Sequence, residues 1–136
     1  MNRVVITGQG AVSSAGIGAD ALWQACLNGV TGVREIDLPE LPDQKVKFGA
    51  SIADTVTEAI DNKREARFQD RIARMARLAA NEAVQQAGLG EDDFGSRCGV
   101  VIGSGFGGAE TLDTNYLTWA RGNATRLDAL AIPKIM

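Results

Sequence analysis

Two stretches of this chain share one plan, in which an apolar run opens onto a glycine-rich turn. Cys98-Gly99-Val100-Val101-Ile102 leads into Gly103-Ser104-Gly105-Phe106-Gly107-Gly108, and Val4-Val5-Ile6-Thr7 leads into Gly8-Gln9-Gly10. A buried strand followed by such a turn is where α/β proteins place ligands. Glycine lets backbone amides approach a substrate and permits torsions that a side chain forbids. A helix-like segment follows each unit, so the pattern predicts a layered α/β enzyme. The 16 glycines among 136 residues suit a chain rich in turns and close backbone contacts.

Between these units the periodicity predicts strands over 3–7, 45–52 and 98–103 and helices over 19–28, 65–87 and 109–120. Leu22, Trp23, Cys26 and Leu27 share a face of the first helix, and Gly29 is placed to end it. Residues 31–44 hold all but one of the prolines and read as an irregular connection. In the long helix, Ile72, Met75, Ala76, Ala79, Ala83 and Val84 form an apolar stripe. Its alanines thin the helix for close packing on a sheet. Gly88-Leu89 predicts a Schellman ending, and residues 127–136 form an apolar tail that suggests a longer parent chain.

The formal net charge of −3 argues against bulk nucleic-acid binding. No apolar run approaches the ~20 residues that span a bilayer, and residues 4–7 are too short for a secretory signal. Cys26 and Cys98 fit no metal-ligand or redox spacing, so the expected setting is the reducing cytoplasm, with both thiols acting as small buried hydrophobes. With no histidine in the chain, there is no Ser-His or Cys-His pair and no His metal site. No metal or other cofactor is expected.

Gly103, Gly105 and Gly108 satisfy the G-x-G-x-x-G spacing of dinucleotide sites. That fold also needs a strand ending in an acid about 20 residues on. Asp128 lies at that distance, but residues 109–127 contain no strand pattern. A nucleotide-binding domain and glycines that serve helix–strand packing alone both remain open on these residues.

Taken together, the segments resemble the N-terminal part of the β-ketoacyl-acyl-carrier-protein synthases. The words that carry the resemblance are Val4-Val5-Ile6-Thr7-Gly8-Gln9-Gly10-Ala11-Val12-Ser13, Trp23 with Leu27-Asn28-Gly29-Val30-Thr31-Gly32-Val33, Ala83-Val84-Gln85-Gln86-Ala87-Gly88-Leu89, Gly103-Ser104-Gly105-Phe106-Gly107-Gly108 and Ile132-Pro133. The resemblance implies the first half of a thiolase-like α/β fold, a mostly parallel sheet between helix layers, with residues 1–136 an incomplete N-terminal portion of one domain. It implies an acyltransferase that elongates acyl chains by decarboxylative Claisen condensation, with acyl-carrier protein and acyl and malonyl thioesters as partners and a homodimer as the intact form. The family's nucleophilic cysteine and two histidines match no position of this chain, which by itself is expected to be inactive. A non-catalytic, tunnel-shaping partner subunit is the alternative within the family.

The resemblance also implies two functional surfaces. Gly105, Phe106, Gly107, Ala131 and Ile132 match residues that line the acyl tunnel, where Phe106 either gates acyl length or plugs the core beneath the turn. Arg64, Arg67 and Arg126 match part of a basic patch that docks acidic carrier protein, although Phe68 stands where relatives place another cation. Spacing puts Arg64, Arg67, Arg71, Arg74 and Arg77 on one side of a single long helix, partly neutralised by Glu65 and Asp70. A solvated helix face is the plainer reading of that stripe.

Overall fold

The structure is a computed structural model that describes residues 3–39, 41–53 and 63–136. Its elements in chain order are β1 (Val12–Ser13), β2 (Gly16–Ile17), α1 (Ala19–Leu27), β3 (Arg34–Glu35), β4 (Phe48–Gly49), α2 (Lys63–Ala66), α3 (Arg71–Ala87), α4 (Ala109–Ala120) and α5 (Ala131–Ile135). Single 3₁₀ turns occupy Glu91–Asp93 and Ala124–Arg126. The chain forms two compact units, Met1–Glu58 with Leu78–Leu89, and Ala59–Arg77 with Gly90–Met136.

In the first unit the later turns of α3 are the support. Residues 8–10 run so close to it that a Cβ on Gly8 would lie 2.0 Å from the Ala83 carbonyl oxygen, and one on Gly10 2.0 Å from that of Ala79. Glycine on one side and alanine on the other make that approach possible. Glu82 then fixes the segment. Its two carboxylate oxygens accept from the Ala11 amide at 2.9 Å and the Ala19 amide at 2.7 Å, while Gln86 Oε1 accepts from the Gln9 amide at 2.7 Å. Helix α1 starts at Gly18 without a side-chain cap of its own. Glu82 therefore caps it from 63 residues away and sets a carboxylate against the positive end of the helix.

Two short antiparallel ladders complete this unit, pairing Val12 with Ile17 and Ser13 with Gly16, and Arg34 with Gly49 and Glu35 with Phe48. Helix α3 ends as its sequence predicts. The Gly88 amide donates to Gln85 at 3.1 Å and the Leu89 amide to Val84 at 3.2 Å, with Gly88 at φ 67°. That is a Schellman motif, and Gly29 ends α1 with the same pair of bonds, to Cys26 and Ala25.

Four expectations are corrected. Residues 3–7 and 98–103 join no ladder, and Val4 and Val101 are 94% and 97% exposed. An apolar run states a capacity for burial, whereas a strand needs a neighbour to pair with, and none of the described residues supplies one. The ladders present are two-stranded and antiparallel, so a mostly parallel sheet is not found among the described residues. The continuous helix over 65–87 is broken between α2 and α3, because Asp70 caps α3 instead of continuing it. Its Oδ1 accepts from the Ile72 amide at 3.1 Å. Arg64 and Arg67 consequently do not share a helix with Arg71, Arg74 and Arg77, and Arg77 pairs with Glu65. Cys26 and Cys98 are free thiols and are exposed rather than buried, and Trp23 and Leu27 on the α1 face are exposed as well.

Candidate functional site

The second unit carries the glycine turn and all the site residues expected from the sequence. Ser104 organises the turn, its Oγ accepting from the Gly107 amide at 2.8 Å and the Phe106 amide at 3.3 Å. Gly107 lies at φ 69°, and a Cβ there would meet the Ile135 carbonyl oxygen at 2.2 Å. The Gly108 amide donates to that same oxygen at 3.0 Å. The turn is thus pressed against α5, while Gly103 and Gly105 have open space where a side chain would stand.

Asp70 ties the start of α3 to the start of α4. Only 4% exposed, it accepts on Oδ2 from both the Thr111 amide at 2.8 Å and the Thr111 hydroxyl at 2.6 Å. Burial pushes the Asp70 carboxyl up. The Thr111 hydroxyl and amide, the Ile72 amide and the Arg74 charge outweigh it, and the group titrates below the usual carboxylate range. Asp128 does similar service at the far end of α4. The Lys134 ammonium donates to it at 2.6 Å and the Leu130 amide at 2.8 Å, which hold its carboxyl below its ordinary value. Its own amide donates to Asn115 Oδ1 at 2.7 Å. Asp128 therefore sits before a short helix and not at the end of a strand, and the second part of a dinucleotide site is not among the described residues.

Around this frame the expected tunnel residues are partly gathered. Phe106 is 68% exposed and no plug beneath the turn. With Ala109, Leu112 and Tyr116 it lines a hollow of about 400 Å³. Ala131 is half-buried and Ile132 exposed, both on α5. A second, apolar hollow of about 210 Å³ lies between Phe68, Ile72, Ala76, Ile102 and Pro133. Phe68, expected to interrupt the docking patch, lines this apolar surface.

The three arginines expected in a docking patch, Arg64, Arg67 and Arg126, are exposed. Arg126 lines a polar hollow with Arg71 and Arg74, and Arg64 and Arg67 are not part of that lining. Sequence reasoning missed Ser104, Glu82 and the role of Asp70. Ser104 was legible as a hydroxyl two residues before a turn amide, whereas Glu82 and Asp70 act across the sequence and leave no local signal. Among the described residues no group of His, Cys, Asp and Glu could hold a metal, and no helix is long and apolar enough to cross a membrane.

Residues 1–132 match the family described as "Beta-ketoacyl synthase, N-terminal domain". The 3-oxoacyl-[acyl-carrier-protein] synthase 2 of Staphylococcus aureus (strain N315) is 34% identical over 98% of this chain and 33% of its own length. Nodulation protein E of Rhizobium sp. (strain N33) is 33% identical over the same shares. Among solved structures, the ishigamide ketosynthase/chain length factor overlays with a TM-score of 0.81 at 25% identity, over 97% of this chain and 33% of that one. A β-ketoacyl synthase from Burkholderia phymatum STM815 overlays at 0.77 with 26% identity, over 100% of this chain and 34% of that one. The chain spans about a third of the length of these relatives. It belongs to the β-ketoacyl synthase family, matching that family's N-terminal domain.

Proposed function

We propose that this chain is the N-terminal part of a 3-oxoacyl-acyl-carrier-protein synthase with a thiolase-like α/β fold, acting in the cytoplasm as a homodimer. The observation that carries this reading is the family match over residues 1–132, together with the overlay on two ketosynthases. In the reaction, an acyl group held as a cysteine thioester is attacked by the carbanion left when malonyl-carrier loses CO₂. A carbon–carbon bond forms, the acyl–sulfur bond breaks, and the thiolate leaves, giving 3-oxoacyl-carrier. This chain contributes no histidine and no matching cysteine, so its part is binding. Gly105, Phe106, Gly107, Ala131 and Ile132 form tunnel wall, and Arg64, Arg67 and Arg126 attract an acidic carrier. The test is a condensation assay with acyl and malonyl carriers. The 136-residue chain is expected to release no CO₂, and the longer gene product that contains it to release CO₂ and form 3-oxoacyl-carrier. Failure of the longer product would end the synthase reading.

A second reading is a tunnel-shaping partner subunit, which the overlay on a protein named as a ketosynthase/chain length factor favours. In that case the longer product is silent alone and alters product length when added to an active synthase.

A further inference from the structure

We propose that the polar hollow between the start of α3, helix α4 and the 3₁₀ turn Ala124–Arg126 is a binding site for a phosphate group, free or as a monoester. The hollow measures about 270 Å³, enough for a tetrahedral oxyanion and part of an ester substituent. Four cations line it, Arg71, Arg74, Arg126 and Lys134, against the carboxylates of Asp70, Glu110 and Asp128. Two of those carboxylates, and Lys134 with them, are already engaged. Asp70 holds Thr111 and Ile72, and Asp128 holds Lys134 and Leu130. Glu110 is half-exposed and approaches Arg74 Nη2 only to 3.8 Å.

The orphaned atoms are what point to a ligand. Arg74 Nε is buried with no hydrogen-bond acceptor among the described residues, and Gln69 Oε1, on the same wall, is buried with no donor. A buried guanidinium N–H left unpaired is costly, and such groups are rare unless an ion or a water completes them. With the Arg74 guanidinium turned toward the hollow, an acceptor with several oxygens would satisfy Arg74 and Arg126 together, and the Gln69 amide, turned over, would present its N–H groups to the same anion. Guanidinium forks suit this best, since they donate parallel N–H bonds to phosphate oxygens. The site stands apart from the synthase reading. Only Arg126 is shared with the docking patch, so Arg74 discriminates between them.

The experiment is a titration of the 136-residue chain with inorganic phosphate and, separately, phenyl phosphate. It is read by ³¹P line broadening and by thermal melts, with ionic strength held constant by potassium chloride. Saturable binding is expected, weakened about tenfold in Arg74→Gln and in Arg126→Gln. Tight binding of phenyl phosphate assigns the site to a monoester, and binding of inorganic phosphate alone assigns it to the free ion. If Arg74→Gln does not fold, the exposed Arg126→Gln decides. No saturable binding above chloride, or wild-type affinity in Arg126→Gln, overturns the proposal.

Discussion

Asp70 concentrates more of the local structure than any other single side chain of its unit. It caps α3, pins α4 through Thr111, and is the one charged group among the described residues that is buried. Because its pKa is lowered in the folded state, its contribution is fully present above the ordinary carboxylate pKa and is lost as pH falls through the lowered value. Asp70→Asn keeps the shape and removes the charge, and is expected to cost about 1–3 kcal/mol at pH 7. Urea unfolding should then show the mutant and wild type converging once the pH lies below the Asp70 pKa. A gap that persists unchanged into acid would place the effect elsewhere. In the sequence, Asp70 reads as a counter-charge within an arginine stripe. Nothing local announces that its partner is a threonine 41 residues away.

At the scale of elements, the contacts that position the glycine segments are main-chain contacts, and they make sharp predictions. Gly8→Ala or Gly10→Ala would drive a methyl into a helix carbonyl, so each is expected to destabilise by about 1–3 kcal/mol, as overpacking does. Gly99→Ala meets open space and is expected to leave the melting temperature nearly unchanged. Glu82→Ala removes the cap of α1 and the tether of Ala11 together. A loss of about 2 kcal/mol in thermal or urea unfolding is expected, against the fractions typical of a surface glutamate. The extents of α1 and α4 and the ending at Gly88 were readable because helix periodicity and C-terminal glycines are local signals. The strands at 3–7 and 98–103 were misread for the converse reason. Their residues satisfy a strand pattern, but pairing is decided by distant chain.

At the scale of the whole molecule, function is tested in the full-length synthase of which this chain is proposed to be the N-terminal part. Charge reversal at Arg64 and Arg67 is expected to raise KM for carrier-bound substrate several-fold, and to leave a small thioester analogue untouched, with the difference fading in salt. Equal effects on both substrates would remove the docking role. Phe106→Ala is expected to shift product length toward longer acyl chains, since the ring projects from a turn that Ser104 and α5 hold still. Unchanged chain length would leave Phe106 as surface. Glu82, finally, sets a clock on biosynthesis. The Ala11 amide must wait for a carboxylate 71 residues further along the chain. At 5–20 residues per second, a ribosome supplies it roughly 4–14 s later. Throughout that interval Gly8, Gly10 and Ala11 exist without the α3 carbonyls and carboxylate that seat them, so this segment and the start of α1 stay undocked until α3 is made.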